Sequence, residues 1–133
     1  MPDNGLMSVQ SRVSARETLD RLFAALTERK LTIFSRIDHA AGAASVGLSL
    51  RPTEVVIFGN PKGGTALMQD RQSSGIDLPL KALVWEDAEG KAWLTYNDPA
   101  WVAKLHGLGA LSESAVKAMA ELLEQLLRKQ QNN

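Results

Sequence analysis

The chain has 133 residues, 44% hydrophobic and 23% charged, which fits one globular domain and leaves no length for a second well-buried core. Fifteen basic and fifteen acidic residues cancel, so the molecule lacks the positive field that drives non-specific binding to nucleic acid or anionic lipid. Absence of cysteine excludes thiol catalysis, thiolate metal sites and disulfides.

Residues 1–5 read as a polar tail, 6–128 as a single domain and 129–133 as a frayed end. The N-terminus shows no signal-peptide pattern, and no stretch approaches the roughly 20 apolar residues of a membrane span. The expected location is the cytoplasm, with no nucleic-acid or membrane partner. Leu6–Val13 alternates as a short strand. Ser14 and Glu17 form a capping box, after which Leu19, Leu22, Phe23 and Leu26 recur at helical spacing to about Arg29.

Leu31–Asp38 reads as a second strand, with Leu31, Ile33, Ser35 and Ile37 on one face and Thr32, Phe34, Arg36 and Asp38 on the other. His39–Gly47 is a loop or a helical turn. The β-branched run Thr53–Phe58 suits a strand buried on both faces, and the glycines after Asn60–Pro61 keep the stretch to Ile76 loop-like or briefly helical. Leu80–Trp85 and Lys91–Tyr96 form a hairpin closed by a loop ending in Gly90. Asp98–Pro99 starts a short helix carrying Trp101, Val102 and Leu105, and Ser112 starts a long one whose apolar side runs from Val116 to Leu127. The expected fold is α+β and two-layered: one mixed, mostly antiparallel sheet with helices on one face, in the order β-α-β-β-(loop)-β-β-α.

Gly59-Asn60-Pro61-Lys62-Gly63-Gly64-Thr65 invites a phosphate-loop reading. However, Gly64 stands where the phosphate-reaching Lys belongs, so a tight turn with a few donors for a small anion is the better account. His39 and His106, with Asp38, Glu54 and Asp98, are the supply of metal-ligating or acid–base groups, at spacings unlike any metalloprotease pattern. Trp85 and Trp93 fall opposite each other in the hairpin, and core packing is favoured over a subunit interface.

Several blocks resemble those of the domain of unknown function 302 family: Arg36-Ile37-Asp38-His39-Ala40-Ala41-Gly42-Ala43, Leu50-Arg51-Pro52-Thr53-Glu54, Ile57-Phe58-Gly59-Asn60-Pro61, Leu78-Pro79-Leu80-Lys81 and Tyr96-Asn97-Asp98-Pro99. The resemblance implies a small bacterial α+β domain that forms homodimers, and carries no established activity. It draws attention to Asp38, His39, Pro52, Glu54, Asn60, Tyr96, Asn97 and Asp98.

The leading expectation is a dimeric, non-enzymatic module holding a small polar molecule, an anion or a divalent metal ion. Asp38, His39, Glu54, Asn60, Tyr96 and Asn97 are its candidate ligand-binding residues, and His39 and Glu54 its candidate metal ligands. No cofactor is required by the sequence. The alternatives are a hydrolase- or isomerase-like enzyme using Asp38 or Glu54 as base with His39 as partner, and a structural partner-binding protein with an exposed apolar patch over its last helix.

Overall fold

A computed structural model describes residues 4–131. Met1, Pro2, Asp3, Asn132 and Asn133, which belong to the expected tail and frayed end, lie outside the described residues. Five strands, β1 (Leu6–Gln10), β2 (Thr32–Asp38), β3 (Thr53–Gly59), β4 (Leu80–Glu86) and β5 (Ala92–Asn97), form one sheet in the order β1-β5-β4-β3-β2. All four pairings are antiparallel, so the expected mixed character is corrected. Each connection between neighbouring strands carries the chain back to the end it left, whether by the Asp87–Lys91 turn or through intervening helices.

Helix α1 (Ala15–Glu28) begins where the capping box predicts, the Ser14 hydroxyl accepting from Glu17 N–H at 3.1 Å. With α5 (Glu113–Gln131) it covers one face of the sheet. Leu22, Leu26, Leu123 and Leu126 from the helices meet Val56, Phe58, Ala82, Val84, Leu94 and Tyr96 from the strands in one core. α5 runs on past Arg128, and Gln130 is buried, its carbonyl accepting from Arg12 N–H.

Three local expectations are revised. β2 carries a bulge at Phe34, because Ile33 pairs with Phe58 and Ser35 with Ile57. One extra residue reverses the alternation beyond it, so Ile33 lies on the face of Phe58 and Ile37 on the other face, with Val55. β3 is buried on one face only: Glu54, Val56 and Phe58 are covered, whereas Thr53, Val55 and Ile57 are half-exposed.

The stretch 61–77 is also far more helical than its glycines suggest. Helix α3 spans Pro61–Asp70, followed by a 3₁₀ turn over Gln72–Asp77. Its N-cap Asn60 and first-turn Pro61 fix the start, and burial of Leu67 outweighs roughly 1 kcal/mol of lost helix propensity per glycine. His39–Ser45 is the short helix α2, capped by Asp38. Helix α4 (Pro99–His106) follows β5, and a 3₁₀ turn over Ala110–Ser112 leads into α5.

Trp85 and Trp93 stack directly across the hairpin with centroids 5.9 Å apart. They lie on the face that α1 and α5 do not cover, beside Leu83, Val55 and Ile37, so they are no part of the helix-covered core.

Candidate functional site

The sheet separates the residues expected to converge. Antiparallel register places Asp38 directly across from Glu54, with His39 next along the chain as the first residue of α2. Asn60 follows the last residue of β3 at the other end of the sheet, and Tyr96 and Asn97 lie between, Tyr96 pairing with Ala82 level with Val56. Glu54 and Phe58 are four residues apart on one strand, roughly 13 Å at about 3.3 Å per residue. Asp38, His39 and Glu54 are therefore set apart from Asn60, and Tyr96, level with Val56, stands two strands over from Glu54.

Within the first group each carboxylate has one oxygen engaged by the fold. Asp38 Oδ1 accepts from Ala41 N–H at 2.9 Å, completing the α2 cap. Glu54 turns its carboxylate toward the helix-covered side, where Oε2 accepts from Arg36 Nε–H at 2.8 Å with the Glu54 side chain only 12% exposed. The Arg36 guanidinium lies 4.1 Å above the Phe23 ring. His39 is exposed. Among the described residues no three of His, Asp and Glu gather to hold a metal ion, so His39 and Glu54 have no third side-chain ligand of these kinds.

Two strands over from β3, Tyr96 is buried on the helix-covered face, while Asn97, one residue on, takes the other face opposite Leu6. Burial, and then the negative charges of Asp98 and Glu124, raise the Tyr96 phenol above its ordinary value. Asp98 caps α4 through Ala100 N–H at 3.0 Å. His106, the second histidine, hydrogen-bonds Asp77 through Nε2 and so fastens α4 to the turn after α3.

The α3 N-terminus is likewise occupied by its own loop. Asn60 Oδ1 accepts from Lys62 N–H at 3.0 Å, and the Asn60 carbonyl accepts from Gly63 and Gly64 N–H at 3.0 and 3.3 Å. Pro61 has no N–H to offer. The expected donors for a small anion are thus spent within the turn.

What the polar pattern does not announce is a cavity of about 700 Å³ between α3, the start of α5 and the edge of the sheet. Leu31, Phe34, Met68, Leu78, Met119 and Leu122 supply most of its apolar wall, and Asn60, Lys62, Thr65 and Ser114 are its polar residues. Those four polar residues are all exposed, whereas Leu31, Met68, Leu78, Met119 and Leu122 are partly covered, so the polar groups form a rim over an apolar interior. Of the sequence candidates only Asn60 lines it.

Small residues open this space. Gly63, Gly64 and Ala66 on α3 face Ala115 and Ala118 on α5, where larger side chains would interdigitate. A Cβ on Gly63 would already stand 3.4 Å from the Met119 methyl. Asp70 ties the end of α3 to the segment leading into α5: Oδ2 accepts from Gly109 N–H at 2.9 Å and from the Ser112 hydroxyl at 2.7 Å. These bonds, led by that from Ser112, hold the Asp70 carboxyl below its ordinary value. Glycine pairs in helices and alanines on a helix face are the only sequence signal of this site, and they are equally the signal of close helix packing.

Fold and site together define a two-layer α+β domain with a lateral apolar cavity. The chain belongs to the family described as Domain of unknown function DUF302, which matches residues 7–127. An uncharacterized conserved protein of that family from Bacillus stearothermophilus has the same fold, with a TM-score of 0.84 at 17% identity over 95% of this chain and 98% of that one. Proteins named fluoride-specific ion channel FluC 1 from Brucella suis biovar 1 and Brucella abortus biovar 1 are each 54% identical over 117 residues, or 88% of this chain. Those residues make up 46% and 43% of the two relatives, so the chain spans less than half their length. No described helix is long and apolar enough to cross a membrane.

Proposed function

We propose that the domain is a non-enzymatic binding module whose ligand is a small molecule with a substantial apolar part, held between α3 and α5, and that it works as a dimer. The observation that carries this reading is the cavity of about 700 Å³, within the size range of small-molecule sites and walled mainly by apolar side chains above a polar rim. It is preferred to the small polar ligand expected at Asp38, His39, Glu54, Asn60, Tyr96 and Asn97, since the Asp38 and Glu54 carboxylates serve a helix cap and an ion pair. The dimer part of the reading is supported by the uncovered sheet face, where Ile37, Val55, Leu83 and the stacked tryptophans stand together.

In the Brucella relatives this reading gives the domain a ligand-sensing or accessory part and puts conduction in the remainder of those chains. Fluoride itself suits the cavity poorly. A small, strongly hydrated anion needs several convergent N–H donors, and those of α3 are satisfied internally.

Native mass spectrometry of untagged protein tests both parts. A dimer carrying a releasable component that partitions into organic solvent is the expected result. A monomer at working concentrations overturns the dimer, and a retained ligand that is wholly polar overturns the apolar-cavity reading.

A further inference from the structure

The geometry points to a chain-bearing monocarboxylate, an aliphatic acid, as the class of ligand, with its carboxylate at Lys62 and its hydrocarbon chain between Met68, Met119 and Leu122. This inference rests on the cavity reading above and narrows it. Lys62 is the one ionisable residue in the cavity lining, and no carboxylate shares that lining. Among the described residues Lys62 makes no ion pair, so its ammonium is available to a ligand.

Position and number both favour a carboxylate. Lys62 is exposed, so a charged headgroup there stays in contact with water while the chain enters the apolar interior. A lone ammonium matches a single negative charge. A phosphate dianion is usually gripped by an arginine fork, several cations or free backbone donors, and the lining supplies no arginine and no further cation. Thr65 and Ser114 add hydroxyls on the same exposed rim.

The test is calorimetric titration of the full chain at pH 8 and low salt with three probes of one chain length: dodecanoate and dodecyltrimethylammonium below their micelle-forming concentrations, and dodecan-1-ol below its solubility limit. Dodecanoate is expected to bind one per chain, roughly two- to fivefold tighter than the alcohol, the advantage of one rim ion pair. The cation is expected to bind more weakly than either. Lys62→Met removes the advantage of the acid and leaves the alcohol unchanged, and added salt shrinks it in the unaltered protein.

Ala118→Trp, which fills the cavity from an exposed helix position, weakens all three probes. Gly64→Leu does the same from the opposite wall if the tryptophan variant does not fold. An acid that binds no tighter than the alcohol, or that keeps its advantage in Lys62→Met, overturns the carboxylate inference while the cavity stands. Binding of none of the probes, or binding indifferent to a folded cavity-filling variant, overturns the cavity reading and this inference with it.

Discussion

Removing the guanidinium of Arg36 decides whether Glu54 is a structural anion or an available catalytic base. Glu54 is nearly buried, and Arg36 is its hydrogen-bonding and ion-pairing partner. Arg36→Met keeps an apolar stem over Phe23 but leaves the Glu54 carboxylate without its counter-charge. Stripping one partner from a fully buried pair costs about 3–5 kcal/mol. Because the Arg36 side chain is 54% exposed, water reaches this pair, and the expected loss is smaller, about 2 kcal/mol. The informative companion is Arg36→Met/Glu54→Leu, which removes both charges and buries hydrocarbon beside Val56 and Phe23 instead. An apolar replacement of a covered ion pair is commonly neutral or stabilising, so the double variant is expected within about 1 kcal/mol of the parent. Urea unfolding at pH 7, read as the midpoint at constant slope, measures all three proteins. An Arg36→Met loss below about 0.5 kcal/mol, or a double variant as weak as the single one, would refute the account of Glu54 as an anion held by Arg36.

Other consequences follow from particular contacts. At Gly5, φ is +73° and a Cβ would fall 2.4 Å from Trp101 Cδ2, so Gly5→Ala is expected to cost about 2–4 kcal/mol in thermal or urea unfolding, with Gly5→Ala/Trp101→Ala less than additive. The Tyr96 phenol is raised in the fold, chiefly by burial. The unfolded chain therefore loses that proton first, and stability falls as pH rises above about 10, a loss that Tyr96→Phe abolishes in alkaline urea melts. Asp70 has the opposite sign. Its carboxyl is lowered by the Ser112 and Gly109 bonds, so its contribution is present above about pH 4 and fades as pH falls toward the folded value, and Asp70→Asn flattens that acid limb. Asp87 is lowered likewise by Trp93 Nε1–H and the Lys91 N–H in the hairpin turn, and Asp87→Ala is expected to quench or shift the stacked-tryptophan near-UV circular dichroism signal.

Local chemistry made much of the fold legible. The Ser14–Glu17 box, the Gly90 hairpin and the Asp98–Pro99 start each encode an element through contacts made within a few residues, and the leucines of α5 mark theirs by helical spacing. What escaped depends on partners far along the chain. The Phe34 bulge exists only in pairing with β3, and it moves Ile33 and Ile37 to opposite faces against their spacing. α3 is stable despite Gly63 and Gly64 because Leu67 is buried and Asp70 is bonded to Gly109 and Ser112 far along the chain, which no local propensity records. For the site, the sequence offered polar residues in turns and at strand ends, and most proved to be the fold's own fastenings: Asp38 caps α2, Asp98 caps α4, Asn60 caps α3 and Glu54 holds Arg36.

The same logic explains why the cavity was hidden. A binding site built from polar ligands leaves a chemical trace in sequence, whereas one built from missing volume leaves only small residues. Gly63, Gly64 and Ala66 over Ala115 and Ala118 remove the ridges by which α3 and α5 would close on one another. Dispersion contacts are lost wherever side chains stand apart, so such a gap is costly unless something fills it. The Asp70 bonds to Gly109 and Ser112 hold the end of α3 to the segment that leads into α5, which restrains the walls at that end. A fold that ties an under-filled helix pair at one end gains stability when an apolar guest enters between them. Saturating dodecanoate is accordingly expected to raise the thermal midpoint of the parent protein, and to raise that of Ala118→Trp by much less.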